Sequence, residues 1–199
     1  MTKKQIFINS LYHENAVWRQ ILGICSALAV TNQLMNSLVM GLGVVFTLAF
    51  SCFTISLLRN YIPARIRMMV QVLIIASYVI IVDLFLKAFL PDISKALGPY
   101  VGLIITNCII MGRAEAFAMK NTPLNSAIDG IGAGLGYAFV LLIIAFFREL
   151  FGFGTFFGFQ ILGHWWTKWS IMVMAPSAFF MLALLMWFVY NVQMKNKKD

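Results

Sequence analysis

Residues 36–59 read NSLVMGLGVVFTLAFSCFTISLLR, and residues 125–148 read NSAIDGIGAGLGYAFVLLIIAFFR. Laid over one another at a constant offset of 89, they match without a gap at Asn36-Ser37 and Asn125-Ser126, Gly41 and Gly130, and Gly43 and Gly132. The matches continue at Ala49-Phe50 and Ala138-Phe139, Ile55 and Ile144, and Arg59 and Arg148. Chance identity is common among apolar letters. A paired Asn-Ser, two glycines and a terminal arginine in register are the mark of an internal duplication. Upstream, Cys25 and Cys108 correspond at an offset of 83, so the second half carries six extra residues between its cysteine and its long apolar run.

Working outward from these runs gives the number of membrane crossings. A helix rises about 1.5 Å per residue and a bilayer core is roughly 30 Å thick, so a crossing takes about 20 apolar residues. Residues 38–58, 68–90, 127–147 and 171–190 meet that requirement, the second with Asp83 inside it and the third with Asp129 near its start. Residues 20–31, between Arg19 and Asn32-Gln33, and residues 99–112, between Pro99 and the Arg113/Glu115 pair, are apolar but short. Short segments at corresponding places in two halves read as discontinuous helices, whose freed backbone groups line protein rather than lipid. Tilted or kinked ordinary helices are the plainer alternative. The expected fold is an all-α integral membrane protein with six transmembrane segments, made of two three-segment repeats with short or broken helices first and fourth.

An odd number of crossings per half makes the second half enter from the opposite side. The repeats are then inverted about a pseudo-two-fold axis in the membrane plane. That symmetry brings Cys25 and Cys108 together at mid-depth. The implied organisation is an amphipathic segment over 1–18, a first repeat over 19–97, a second over 98–190 and a basic tail over 191–199. Residues 1–18 set Ile6, Phe7, Leu11, Val17 and Trp18 among Lys3, Lys4, His13 and Glu14, the pattern of a helix lying in the headgroup region. Eleven lysines and arginines fall on the side of the termini and four on the other, which places both termini in the cytoplasm.

Composition agrees. The chain is 61% hydrophobic and 11% charged, with mean hydropathy +0.87, whereas a soluble domain carries roughly 25% charged residues. The net charge of +8 sits at the flanks of apolar runs, so it reflects topology rather than nucleic-acid binding. Lys195, Lys197 and Lys198 read as a stop facing the anionic leaflet.

Cys25, Cys52 and Cys108 all lie inside apolar segments, and no Cys-x-x-Cys occurs, so the chain cannot close a usual four-ligand metal site by itself. Cys25 and Cys108, symmetry-related on broken helices, are candidates for a soft-metal or iron–sulfur site shared with another chain. Cys52 aligns with Leu141 and reads as packing. Asp83 is a candidate for ion handling, because a carboxylate at lipid depth is costly; a plain i,i+4 pair with Lys87 stands beside that reading. Asp129 opens a run of alternating glycines, 130 to 136, that suits close helix packing. Arg113 and Glu115 are expected to neutralise each other or to meet a partner subunit. His13 and His164 read as interfacial. No catalytic triad, zinc motif or paired catalytic carboxylates are present.

The stretch Gly102–Ala118, GLIITNCIIMGRAEAFA, resembles a signature of the paired membrane subunits found in two respiratory complexes, the sodium-translocating NADH:quinone reductase and the Rnf complex. Leu22–Thr31, LGICSALAVT, is similar to the matching N-terminal segment, and Asp129-Gly-Ile-Gly, Phe147-Arg-Glu-Leu and Ala175-Pro-Ser-Ala-Phe-Phe also fit. Val82-Asp83 followed by Lys87-Ala-Phe favours the D-type branch of the quinone reductase. The resemblance implies a component of the bacterial inner membrane working beside the A-, B-, C-, E- and F-type subunits. That complex takes electrons from NADH through flavins and iron–sulfur centres to ubiquinone while sodium moves outward. It further implies a [2Fe–2S] cluster held between this chain and the homologous E-type subunit, with Cys25 and Cys108 as this chain's iron ligands, and sodium uptake at Asp83. The flavins (FAD, FMN and riboflavin) belong elsewhere in the complex, and no NADH or quinone site is evident in this chain. The corresponding Rnf subunit is the nearest alternative; an inverted-repeat small-solute transporter is the alternative from another class.

Overall fold

Where no water can satisfy the backbone, each apolar run closes its hydrogen bonds within itself as a helix. The computed structural model describes residues 3–8, 10–11, 15, 17, 19–63, 65–89, 91–152, 154–156, 159–160 and 174–195. Within these the helices are α1 (Lys3–Ile8), α2 (Ile24–Val30), α3 (Leu34–Leu58), α4 (Arg67–Phe89), α5 (Pro91–Ile105), α6 (Cys108–Arg113, continued by a π-turn Ala114–Ala118), α7 (Pro123–Gly152) and α8 (Ala175–Lys195). A two-stranded antiparallel ribbon, β1 (Thr155–Phe156) with β2 (Phe159–Gln160), lies between α7 and α8. His13, Glu14, Trp18, His164, Lys168, Lys197 and Lys198, with residues 171–173, fall outside the described residues.

Among the described residues, four stretches are long and apolar enough to cross a membrane: Leu34–Leu58, Arg67–Phe89, Tyr100–Ala118 and Pro123–Gly152. α8 contains a shorter apolar run, Pro176–Val192. The sequence suggests a short segment over 99–112, whereas helix runs from Pro91 through Ala118 and is interrupted only at Thr106-Asn107. Proline suits the first helical position, where its missing N–H costs nothing. The early part of α5 is therefore helical even though Asp92 and Lys95 make it look like a loop.

α3 and α7 form the centre. A Cβ built on Gly41 would stand 2.9 Å from Ala138 Cβ; on Gly134, 2.9 Å from Val45 Cα; on Gly130, 3.0 Å from the Leu48 carbonyl and 3.2 Å from Ala49 Cα. Numbers rise on one helix as they fall on the other, so the pair is antiparallel. The 89-residue offset converts the Gly41–Ala138 contact into Gly130–Ala49 and maps Val45–Gly134 onto itself. The two helices thus cross about a local two-fold axis through Val45 and Gly134.

The helix ends repeat that relation. Arg59 Nη1 and Ser56 Oγ donate to the Asn121 carbonyl, in the turn before α7, at 2.9 and 2.6 Å. Arg148, the counterpart of Arg59, donates from Nη1 to Thr31 Oγ1 in the turn before α3, at 2.6 Å, and from Nη2 to the Met174 carbonyl. Glu149 Oε2 accepts the backbone N–H of Leu34 at 2.6 Å. Each arginine secures the turn that feeds the other long helix.

The four alternating glycines of α7 serve two neighbours. Gly130 and Gly134 meet α3, while Gly132 faces Phe7 and Ser10, and Gly136 faces Leu11 and Asn15. The described residues of the N-terminal segment therefore pack along α7, with Ile6, Ser10, Asn15 and Val17 buried, a contact that the amphipathic pattern does not foretell. A helix face stripped of side chains lets backbone approach closely, and that contact takes precedence.

The outer surface is apolar. α4 buries only Gln71, Ile75 and Val79, a stripe one residue wide, and exposes Met69, Leu73, Leu84 and Phe89. Hydroxyls in the long helices satisfy their own backbone: Thr47 donates to the Gly43 carbonyl and Thr54 to that of Phe50.

Candidate functional site

The two candidate cysteines lie at the starts of the two short helices. Cys108 is the first residue of α6, directly after the break at Thr106-Asn107. The Asn107 side chain caps that helix, accepting the Ile109 N–H at 3.1 Å. Cys25 is the second residue of α2, and a strap without regular secondary structure, residues 21–23, leads into it. Two residues of this strap have left-handed backbone, Ile21 at φ 55° and Gly23 at φ 83°. For a β-branched residue such as isoleucine that is a strained state, of the kind held in place where structure around it over-determines the chain.

The strap reaches the other cysteine. The Gly23 N–H donates to Cys108 Sγ at 2.9 Å. Glycine is required at this point for space as well as for φ, since a Cβ there would stand 2.5 Å from Ile109 Cδ1 and 2.9 Å from the Tyr137 ring. Cys108 is half-buried and Cys25 is exposed, while Cys52 is 1% exposed within the apolar core. Among the described residues, no group of three or more His, Cys, Asp or Glu side chains is placed to hold a metal ion. Two thiols suit iron, and they are half of the four thiolates a [2Fe–2S] cluster takes when cysteine alone holds it. The residues present fit one half of such a site, with its open side at Cys25.

A second polar group lies behind the thiols. Tyr137 Oη bonds Ser26 Oγ at 2.5 Å, Asn107 Nδ2 donates to the same Ser26 Oγ at 3.2 Å, and the Ser26 hydroxyl donates to the Gly23 carbonyl at 3.2 Å. The sequence reading missed these three residues. The signal was present: Ser26 and Asn107 each adjoin a candidate cysteine, and Tyr137 is the only tyrosine in the thirty residues of α7.

The charged residues are sorted differently from the sequence expectation. Arg113 and Glu115 do not neutralise each other. Arg113 Nε and Nη2 donate to Asp129 at 3.0 and 2.5 Å, and Nη2 also donates to Ser10 Oγ at 2.7 Å, all within a site where Arg113 is 2% and Asp129 1% exposed. Ser10 donates in turn to Asp129 Oδ1. Glu115 pairs instead with Arg67 and accepts from Gln71 Nε2. Residues two apart on a helix do not face each other, which is why the Arg113–Glu115 pairing fails. Asp129, read as a neighbour of packing glycines, is also the acceptor of a buried ion pair. Asp83 meets Lys87 Nζ at 2.6 Å in an i,i+4 pair on the outer part of α4.

Residues 3–186 match the family described as "Rnf-Nqr subunit, membrane protein". The chain belongs to the Rnf-Nqr family. It is 53% identical to a Psychromonas ingrahamii protein named as the D-type subunit of the Na(+)-translocating NADH-quinone reductase, over 195 residues covering 96% of this chain and 93% of that one. Proteins of the same name from Photobacterium profundum and Yersinia enterocolitica are 53% and 52% identical, each over 92% of this chain and 90% of theirs. With four stretches among the described residues long and apolar enough to cross a bilayer, this Rnf-Nqr chain is a multi-pass membrane protein.

Proposed function

We propose that the chain is the D-type membrane subunit of a sodium-translocating NADH–quinone reductase, and that it holds half of a [2Fe–2S] cluster through Cys25 and Cys108. The observation that carries this reading is the contact of the strap before Cys25 with the other cysteine, the Gly23 N–H on Cys108 Sγ, with Cys25 left exposed. Its homologous partner, the E-type subunit, supplies the other two thiolates. When bound, the cluster supplies a one-electron relay between redox centres on either side. The chain's own part is to bind and orient. Gly23 places an N–H on one sulfur, a charge-assisted bond once that sulfur is a thiolate. Ile109 and Ile110, both 0% exposed, keep the near side dry. The local two-fold axis of α3 and α7 supports extending the inverted relation to all six segments. The eleven-to-four division of Lys and Arg supports termini on the cytoplasmic side of the inner membrane. Asp83 remains the proposed sodium-uptake carboxylate.

The test is iron analysis and spin-resonance spectroscopy of the purified complex. Cys25→Ala and Cys108→Ala are expected to remove one iron–sulfur signal and stop quinone reduction, and Cys52→Ala to leave both intact. Full iron content and turnover in the Cys25→Ala, Cys108→Ala double variant would overturn the reading, and a complex without any such signal would favour a solute transporter.

A further inference from the structure

Tyr137 has no polar counterpart in the first repeat. The offset of 89 places Leu48 there, and Leu48 is 0% exposed. Packing at this position is therefore met by leucine on one side of the two-fold axis. On the other side the chain buries a phenol to 1% exposure. A buried hydroxyl costs free energy unless it is bonded. Its partner is Ser26, the residue after Cys25.

We propose that Tyr137 is a positioning residue for the cysteine pair, setting the Gly23 N–H against Cys108 Sγ through Ser26. A proton count that satisfies all three bonds gives the direction. Ser26 has one hydroxyl proton and two lone pairs. Its proton goes to the Gly23 carbonyl, and the Asn107 amide fills one lone pair. Tyr137 then donates to the other, at 2.5 Å. Ser26 is thereby held by three bonds, two of them from residues outside α2 and its strap, and it in turn holds the carbonyl of Gly23. The N–H of that same glycine reaches Cys108 Sγ. The Tyr137 ring closes the other side, since it leaves no room for a side chain at position 23. Asn107 joins the network from the residue before Cys108, so one hydroxyl governs the approaches to both thiols.

This inference rests on the cluster reading above. A hydrogen bond to a ligand sulfur stabilises the more negative, reduced state of an iron–sulfur centre and so raises its potential. Tyr137→Phe keeps the ring and removes only the hydroxyl; Ser26→Ala removes the next link and serves as the second variant. In the purified whole complex, potentiometric spin-resonance titration is expected to show the cluster harder to reduce in both. The expected size is about a tenfold change in the reduced-to-oxidised ratio at fixed poise, which for a one-electron couple is about 59 mV. Iron per complex stays at the wild-type value; loss of iron from both variants at full subunit level would make Tyr137 and Ser26 structural supports of the site and overturn the positioning role. Wild-type potential and line shape in Tyr137→Phe and Ser26→Ala would overturn the positioning role while leaving the cluster in place. Full iron in the double cysteine variant would instead overturn the reading beneath it.

Discussion

Asp129→Ala removes one partner of the buried Arg113–Asp129 pair and leaves a guanidinium that is 2% exposed. Two charge-assisted bonds from Arg113 are lost, at 3.0 and 2.5 Å, together with the acceptor for Ser10. At about 1.5–3 kcal/mol for each bond to a charged group, the loss brackets the about 3–5 kcal/mol typical of breaking a buried ion pair on one side. Every 1.4 kcal/mol is about a factor of ten in an equilibrium constant, so the folded subunit loses two to three and a half powers of ten. Arg113→Met with Asp129→Leu removes both charges, and such paired replacement is often neutral. The assay is thermal unfolding of the detergent-solubilised complex, with subunit level in membranes as a second reading. The single variant is expected to melt well below wild type and the double variant close to it. A double variant as unstable as Asp129→Ala would show that the charges matter for something other than each other.

Gly134→Ala places a Cβ 2.9 Å from the Val45 backbone and is expected to cost about 1–3 kcal/mol, read as a lower melting temperature. Gly102→Ala meets nothing within 4 Å and is expected to be neutral or slightly stabilising, so equal effects from the two would undo the crossing geometry. Reporter fusions after Asp199 or within 60–66 are expected to report the cytoplasm, and those within 91–97 or 155–168 the periplasm; external labelling of Arg65 or Lys197 would reverse this. Asp83→Asn is expected to raise the sodium concentration that half-saturates quinone reduction, while Lys87→Ala leaves it unchanged. Neither is expected to move stability by more than about 0.5 kcal/mol, since an exposed i,i+4 pair contributes about that much at most. Identical sodium curves for wild type and Asp83→Asn would confine Asp83 to its lysine.

Repetition and hydropathy carried most of the fold into view. Gly41, Gly130, Ala49 and Ala138 match in sequence and also touch in space, because the contact they make is shared by the two repeats. Cys25 and Cys108 stood out in the sequence through the same repetition. Contacts outside the repeat were hidden. Arg113 reaches Asp129 across 16 residues and Ser10 across 103, and neither separation leaves a periodic trace. The N-terminal segment looked like a surface helix because amphipathic pattern does not say whether lipid or a glycine-lined helix covers the apolar side. Tyr137 was passed over because it lies where the repeat offers only Leu48 for comparison. A residue that departs from its own symmetry is invisible to a search for matches.

The contact on the local two-fold axis has a further consequence. Two separate, identical chains crossing there would set each residue of that position against its own copy. Valine against valine would hold the helices apart, and glycine against glycine would leave a gap at their closest point. Val45 set into the space at Gly134 is a fit that only unlike halves can make. Joining the halves in one polypeptide therefore ensures that each knob meets its own socket, and forbids the symmetric dimer from which such a fold is most simply imagined.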